Sequence, residues 1–481
     1  MNTASRAGHK WWALALLCAS QFMVVLDVAI VNVALPSIQT GLDFSQGNLQ
    51  WVLSAYTLVF GGFLLLGGRT ADLYGRRRVF MIGMLVFTVA SLLCGLAQSE
   101  GWLIGARAMQ GLGAAIIAPA ALSIVMTTFE EGAERNKALG VWGAIGGAGA
   151  AVGVLACGIL TSWLGWEWIF FVNVPVGAAV LLLSRSLLEE STADLGHRQL
   201  DVAGAVTITS GLSILVYAVV TAHDHGWASA TTIGLLVVSA LLHVAFIAIE
   251  RRSSAPLLPF SILRLRTLTG ANVVGFLMGG SIFAMFFFLS LYMQQVLGWS
   301  AMKTGVSYLA IALTTIPAAG VAQALVTRIG VRTVLAAGMT CNTIALLWFT
   351  QVSVGGSYVT DLLPGFLIGA VGLGFSFVPI SIAALAGVRE HEAGLASGLI
   401  NTSQQIGGAV GIAILSTIAT TRTSDLLTTG TALPFALTSG FRAAFAVAAV
   451  LALVGVVVTL VVIRRSDVDV APAAEPALET A

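Results

Sequence analysis

The chain has 481 residues, of which 57% are hydrophobic and only 9% are charged. A soluble globular protein carries about 25% charged residues, so this chain would expose too much apolar surface to remain in water. The formal net charge of +1 excludes the basic excess typical of nucleic-acid-binding proteins. The four cysteines each lie alone in an apolar run, without metal-ligand or disulfide spacing. The composition therefore indicates an integral membrane protein without a structural metal or cofactor.

The N-terminal apolar run begins at Trp11, after Arg6 and Lys10. It resembles a signal peptide at first, but it continues past the length of such a segment, and no small-residue cleavage site follows. We therefore interpret it as the first transmembrane helix, with a cytoplasmic N-terminus.

A helix needs about 20 mostly apolar residues to cross about 30 Å of hydrocarbon. Helices are the expected spanning elements, because every backbone polar group in lipid must be satisfied internally. The sequence predicts fourteen spans, near 11–35, 49–68, 79–97, 102–127, 138–161, 168–188, 201–222, 230–250, 271–296, 304–326, 334–352, 361–388, 395–419 and 441–463.

The distribution of basic residues sets the predicted orientation. With both termini in the cytoplasm, the outer loops hold only Lys303, Arg422 and Arg442, and Arg107 lies inside a span. All the other basic residues then fall in cytoplasmic segments, as the positive-inside rule requires. A miscount by one helix would destroy this asymmetry, so the pattern favours an even number of spans.

An internal repeat divides the spans into groups. The pattern G-x-R-x-V-x-x-x-G-M begins at Gly75 and again at Gly330, each time just before a predicted span. Two related halves with a substrate site between them are typical of secondary transporters. The predicted fold is therefore an all-α polytopic membrane protein with two pseudo-symmetric six-helix bundles at 1–188 and 270–465. Two inserted helices at 189–269 act as a spacer, and 466–481 form a disordered cytoplasmic tail.

Two ionisable residues lie deep within spans, which makes them candidates for function. At 1.5 Å per residue, Asp27 lies about 24 Å along the first span, and Arg107 lies about 8 Å below the outer surface in span 4. On a core of about 30 Å both occupy a similar level in the outer half. One hypothesis is that Asp27 carries a proton and that Arg107 tunes its proton affinity. The alternative is a static buried pair that holds two helices together.

Glycines and polar residues form two further candidate sites. The first is a gating loop after span 2 that contains Gly68, Asp72, Gly75, Arg76 and Arg77. There Asp72 is expected to cap the next helix or pair with an arginine. The second is span 5, whose glycine spacings permit close helix approach; its candidate residues are Gly149, Gly153 and Gly158.

Several segments together resemble the major facilitator superfamily, and specifically its fourteen-helix drug:proton antiporters. Leu26 to Pro36 is similar to the signature of the first helix, and Gly68 to Arg78 to the loop motif between helices 2 and 3. Arg107 to Gly113 resembles the helix-4 motif, which implies a role in proton transfer for Gln110, Gly111 and Gly113. The helix-5 motif departs from its usual G-P-x-x-G-G, because Val154 follows Gly153 and the first glycine of the final pair is missing.

The resemblance implies export of small amphipathic drugs or antibiotics, driven by the proton gradient across a bacterial cell membrane. The alternative is a proton-coupled transporter of one metabolite, either a symporter or a dedicated exporter. No nucleotide-binding motif and no catalytic cluster is evident, so an enzyme is not expected. The expected partners are the substrate, protons and the bilayer, with a functional monomer and no nucleic acid. Candidate pocket residues are Asn32, Phe287, Gln294, Gln295 and Asn401.

Overall fold

The computed structural model describes residues 3–45, 47–129, 134, 138, 141–142, 153, 156–192, 201–253, 256–258, 260–388 and 393–463. All regular secondary structure in these ranges is helical. Twelve of the described helices are long and apolar enough to cross a membrane. The predicted total of fourteen stays a prediction. A further helix, Trp51–Tyr74, lies at span 2, and most of span 5 lies outside the described residues.

Seven helical segments form the N-terminal half: α1 (Thr3–Gly41), α2 (Trp51–Tyr74), α3 (Arg76–Gly95), α4 (Glu100–Thr128), α5 (156–163), α6 (Trp168–Phe171) and α7 (Asn173–Leu187). The single turn α6 continues almost directly into α7. Two helices follow, α8 (Val202–His225) and α9 (Ala230–Arg252). The C-terminal half contains α10 (Arg266–Leu291), α11 (Ala301–Ile329), α12 (Val331–Phe349), α13 (Leu363–Leu385), α14 (Ala393–Thr428) and α15 (Leu433–Val462).

Local signals explain several helix ends. The side chains of Ser99, Asp201 and Ser300 each accept a hydrogen bond from a backbone N–H in the first turn of α4, α8 and α11, which satisfies one of the unpaired donors there. At the other ends of helices, Gly75 (φ +108°) and Gly330 (φ +84°) reverse the chain in one residue, a backbone conformation open to glycine.

The two halves repeat the same packing. In the N-terminal half, α2 and α3 pack on α4, and α3 also packs on α7. In the C-terminal half, α11 and α12 pack on α13, and α12 also packs on α15. Gly83 lies against the Gly113 carbonyl of α4, and Gly338 lies against the Phe375 backbone of α13. The two copies of the sequence repeat thus occupy equivalent positions.

For orientation, the end of the bundle where α2 meets α3 is called the basic end, since Arg76 to Arg78, Arg266 and Arg332 all lie there. The other end, where α1 approaches α2, is called the opposite end. Helix α1 runs from the basic end to the opposite end, as do α8, α10 and α14.

Candidate functional site: a buried carboxylate and its donors

Asp27 of α1 lies at the centre of a hydrogen-bonded cluster and is fully buried. Its Oδ2 accepts a hydrogen bond from Arg107 Nη1 at 2.6 Å. Its Oδ1 accepts from Gln110 Nε2 at 2.7 Å and from Asn173 Nδ2 at 2.9 Å. The donors come from α4 and α7, so one carboxylate joins three helices. Hydrogen bonds from a cation and two amides offset part of the cost of burying a carboxylate.

Arg107 is also fully buried, and it has more than one partner. Its Nε donates to the Val52 carbonyl at 2.9 Å, and Nη1 donates to Gln110 Oε1 at 2.6 Å. The guanidinium carbon lies 4.3 Å from the centre of the Tyr56 ring and 5.7 Å from that of Phe170. A desolvated guanidinium is stabilised by aromatic faces as well as by its counter-ion. The charge is therefore held in place even when its attraction to Asp27 changes.

Small residues in α4 bring the neighbouring helices close enough to build this cluster. A Cβ on Gly111 would lie 2.4 Å from the Tyr56 carbonyl oxygen of α2, and a Cβ on Gly113 would lie 2.6 Å from the Phe87 nitrogen of α3. Gln110 also donates to Ser91 Oγ of α3 at 2.8 Å. The helix-4 segment thus combines two functions, with glycines facing α2 and α3 and polar side chains reaching α1.

Asn173 and Ser91 complete the cluster, and sequence reasoning missed both. Asn173 is 146 residues from Asp27 along the chain, and Ser91 is 19 residues from Gln110. The available signal was weak: an amide inside an otherwise apolar span. Asp27 and Arg107, which the helical rise placed at a similar depth, lie together in the structure, and Gln110 of the helix-4 motif contacts both.

The segment predicted as a gating loop is not a loop. Gly68 and Asp72 lie in the last turns of α2, Gly75 alone interrupts the helix, and Arg76 begins α3. The prediction was wrong because polar residues after an apolar run were interpreted as a connection, although a helix continues readily beyond the apolar layer. The side chain of Asp72 lies outside the described part of the chain.

The N-terminus of α3 is capped by Glu190, which sequence reasoning did not single out. Its carboxylate accepts hydrogen bonds from the backbone N–H groups of Arg77 and Arg78 at 3.1 and 3.2 Å. Arg77 Nη1 donates to the Leu188 carbonyl at 3.1 Å, and its Nε lies 3.7 Å from the Glu190 carboxylate. A carboxylate at a helix N-terminus accepts hydrogen bonds from unpaired backbone N–H groups and interacts favourably with the positive end of the helix dipole. The turn is thereby fastened to the chain that leaves α7.

The second copy of the repeat is fastened in a similar way. Arg332 Nη2 donates to the Leu460 carbonyl near the end of α15. Arg77 and Arg332 are equivalent residues of the repeated pattern, and each holds a carbonyl near the end of the last helix of its own half. These two contacts give the repeated arginine the same structural role in both halves.

Of the predicted helix-5 residues, Gly149 lies outside the described ranges. A Cβ on Gly153 would lie 3.1 Å from the Leu26 carbonyl, beside Asp27 in α1. A Cβ on Gly158 would lie 2.8 Å from the Cα of Met302 in α11. These two glycines therefore allow close approach to helices of different halves.

The predicted pocket residues do not form one pocket in this conformation. Asn32 donates to the Val28 carbonyl of its own helix. Phe287 is buried inside the C-terminal half, with its ring centre 5.0 Å from that of Phe288. Gln294 and Gln295 lie in a contact with α1, and Asn401 lies near the basic end. Sequence reasoning could not separate these locations, because it placed residues by depth alone.

The two halves touch at the opposite end. Gln294 Nε2 donates to the Val33 carbonyl at 2.8 Å, and Gln295 Nε2 donates to Gln39 Oε1 at 2.7 Å. The approach of Gly158 to Met302 adds a second contact between the halves at this level. These contacts join the two halves at the opposite end.

A cavity lies towards the basic end, between α13 and α14. It holds about 130 Å³ of free space and is open to solvent. Asn401 and Gln404 supply amides, Ser381 and Ser397 supply hydroxyls, and the rest of the described wall is apolar; it is formed by Phe377, Leu385 and Ile400. The described lining residues carry no ionisable side chain, and the volume is below the roughly 300–1,000 Å³ of typical small-molecule sites.

Buried charge inside a two-half helical bundle defines the class as a multi-pass membrane transporter. The family model of the Major Facilitator Superfamily matches residues 17–412. The chain therefore belongs to this superfamily of transporters, and the resemblance predicted from the sequence motifs is confirmed.

Similar proteins of known role are antibiotic resistance and export transporters. The chain is 41% identical over 469 residues to the puromycin resistance protein of Streptomyces alboniger, covering 96% of this chain and 92% of the relative. It is 38% identical over 423 residues to the cephamycin export protein of Amycolatopsis lactamdurans, covering 87% of each.

The fold is also similar to that of a solved transporter structure. A bacterial homologue of the human lysosomal transporter Spinster, in an inward-facing and unoccupied conformation, matches with a TM-score of 0.65 and 15% identity. The match covers 94% of this chain and 97% of that chain. At this identity the likeness concerns the fold alone.

Proposed function

We propose that this protein exports small amphipathic antibiotics across the bacterial cell membrane in exchange for protons. The observation that carries the proposal is the Asp27 carboxylate, fully buried in α1 and bound by Arg107, Gln110 and Asn173. A titratable group is costly to bury at this depth, and such groups in transmembrane helices mark proton or substrate paths. The antibiotic resistance and export roles of the relatives support the choice of substrate class.

The orientation follows from the arginines. Arg76 to Arg78, Arg266 and Arg332 at the basic end favour a cytoplasmic location for that end and for both termini. Because the halves touch at the opposite end, the conformation is then inward-facing, with the cavity beside Asn401 open towards the cytoplasm. The amides and hydroxyls among its described lining residues suit polar contacts with an amphipathic molecule.

In the proposed cycle, the inward-facing conformation is the one in which Asp27 pairs with Arg107 and carries no transported proton. After the transporter opens outwards, a proton from the outside neutralises Asp27 and removes its attraction to Arg107. Arg107 keeps its contacts with the Val52 carbonyl and the Tyr56 ring, so the α1–α4 contact weakens without leaving the cation unpartnered. The return to the inward-facing state restores the ion pair and releases the proton to the cytoplasm.

The available energy is sufficient for resistance. One charge moving through 100 mV releases about 2.3 kcal/mol, and a tenfold concentration ratio costs about 1.4 kcal/mol. One proton per substrate therefore sustains a gradient of about fiftyfold. Asp27 provides one such titratable site among the described residues of the N-terminal half.

The substitution Asp27→Asn tests the proposal. Asparagine retains the shape and most of the hydrogen bonding but does not titrate, so we expect folded protein that has lost protonophore-sensitive export. The measurement is the intracellular accumulation of a panel of antibiotics in a pump-deficient host, with and without a protonophore. Asp43→Asn is the matched control, because Asp43 is exposed and its φ of +52° is a conformation that asparagine accepts.

Two results would contradict the proposal. Protonophore-sensitive export that survives in Asp27→Asn would remove Asp27 from proton coupling. Compound uptake that increases with an inward proton gradient would instead identify a symporter.

A further inference from the structure

Helices α8 and α9 were expected to be a spacer between the halves, but their packing is specific. Helix α8 packs on α2 of the N-terminal half and on α14 of the C-terminal half, and α2 and α14 pack on each other. The pair thus lies over one of the two seams between the halves, here called the α2/α14 seam. A simple spacer has no need to touch both halves.

The contact with α2 is close. A Cβ on Gly62 of α2 would lie 2.1 Å from Thr209 Oγ1 of α8. Near the opposite end, the ring centres of Trp51 in α2 and Tyr217 in α8 lie 6.4 Å apart. Helix α8 therefore follows α2 over about two to three helical turns, and only glycine fits at the closest point.

The contact with α14 is both polar and apolar. Thr417 Oγ1 of α14 lies 3.2 Å from the Val219 carbonyl of α8, to which it donates a hydrogen bond. A small apolar cluster from all three helices fills the seam, and its members are almost fully buried. We call it the seam cluster; it consists of Leu58, Leu212, Val216, Ala409 and Ala413.

Helix α9 packs on α8 and forms the outer surface. Ser239 Oγ donates to the Gly211 carbonyl at 2.8 Å, and a Cβ on Gly211 would lie 3.0 Å from His243 Nδ1. The exposed side chains of α9 are large and apolar, with Leu241 and Val244 each 62% exposed. A helix with such a surface faces lipid, so the pair separates the seam from the bilayer.

We propose that α8 and α9 form a lateral seal, which keeps lipid and membrane-dissolved molecules from entering the path between the halves through the α2/α14 seam. Packed glycine and alanine contacts leave no room for an acyl chain. The seal is needed because the two halves of such transporters rock against each other, which strains both seams. Substrates would then enter from the water at the basic end or by the other seam. Because the seal is defined by the transport path that it protects, this inference rests on the proposed function.

Cysteine labelling from the lipid tests the seal without requiring transport. The four native cysteines are replaced by alanine, and a single cysteine is introduced at Ala413 under the seal or at Leu241 on the lipid face. In proteoliposomes that contain pyrene maleimide dissolved in the bilayer, we expect Ala413→Cys to react at least about tenfold more slowly than Leu241→Cys, because close packing excludes the reagent.

Displacing α8 should then expose the seam. Gly62→Leu forces Thr209 away, and we expect labelling of Ala413→Cys to become about fivefold faster or more, since the packed barrier is lost. Gly234→Leu in α9 is the matched control and should have no effect, because no atom lies within 4 Å of its Cβ position. If Gly62→Leu does not fold, Val216→Asn in the seam cluster serves the same purpose.

The seal is refuted if Ala413→Cys reacts within about twofold of Leu241→Cys, a difference too small for a packed barrier. It is equally refuted if the folded α8-displacing variants leave labelling at Ala413→Cys unchanged. Either result would leave the proton-coupled export proposal intact, because that proposal depends on Asp27 and not on α8.

Discussion

Asn173 offers the sharpest test of the buried cluster, since its amide donates to Asp27 Oδ1 at 2.9 Å and it lies in no motif that we assigned to proton coupling. Asn173→Ala removes this donor but leaves Arg107 and Gln110 in place. A hydrogen bond to a charged group contributes about 1.5–3 kcal/mol. Because the amide satisfies a buried carboxylate oxygen, its loss leaves the charge of Asp27 less well compensated.

The size of the effect follows from the charge of the acceptor. A loss of about 1.5–3 kcal/mol exceeds the roughly 0.5–1.5 kcal/mol that a hydrogen bond between neutral groups contributes to stability.

The assay is the melting temperature of the purified protein in detergent, together with protonophore-sensitive export of an antibiotic that the wild-type protein exports. Asn342→Ala is the control, because Asn342 is a buried asparagine of the C-terminal half that donates to the neutral Ser376 Oγ. Melting and export in Asn173→Ala that match those of Asn342→Ala would refute the assignment of Asn173 as a positioning residue.

Two further predictions concern packing and capping. Gly111→Ala should abolish export, because the new Cβ would lie 2.4 Å from the Tyr56 carbonyl oxygen. That overlap costs about 1–3 kcal/mol. The control Gly105→Ala should be neutral or slightly stabilising, because its Cβ would meet no atom within 4 Å. Normal export by Gly111→Ala would show that α2 and α4 tolerate separation. Glu190→Gln should lower the melting temperature in detergent by a few degrees, because a charged cap of α3 contributes about 1 kcal/mol. The exposed neighbour Glu189→Gln should leave it unchanged, and equal melting of the two variants would remove the cap from the explanation.

The polar cluster shows how far sequence reasoning reaches. Asp27 and Arg107 were found because an ionisable residue in an apolar run is conspicuous, and their depth follows from the helical rise. Asn173 was not found, because an uncharged amide in a span is common and its partner is distant in the chain. Which amide meets the carboxylate depends on the rotation of α7 about its axis, and hydropathy does not contain that rotation.

The connections show the same division. The single glycine at Gly75 and the arginines after it were visible in the sequence, and they were assigned to a loop between spans 2 and 3. The sequence did not reveal that Glu190, which follows a distant helix, would cap α3. Nor did it show that Gly68 and Asp72 continue α2, since apolarity reports where lipid ends and not where hydrogen bonding ends.

By itself, the sequence determined that this is a helical membrane transporter of the major facilitator superfamily with a buried charge pair. Those conclusions depend on composition, periodicity and local motifs, which act along one helix at a time. The tertiary structure alone decided which donors surround Asp27, at which end the two halves are joined, and that α8 lies across the α2/α14 seam. These features depend on how helices rotate and approach each other, and the approach is set by small residues such as Gly62 and Gly111 whose partners lie far away in the chain.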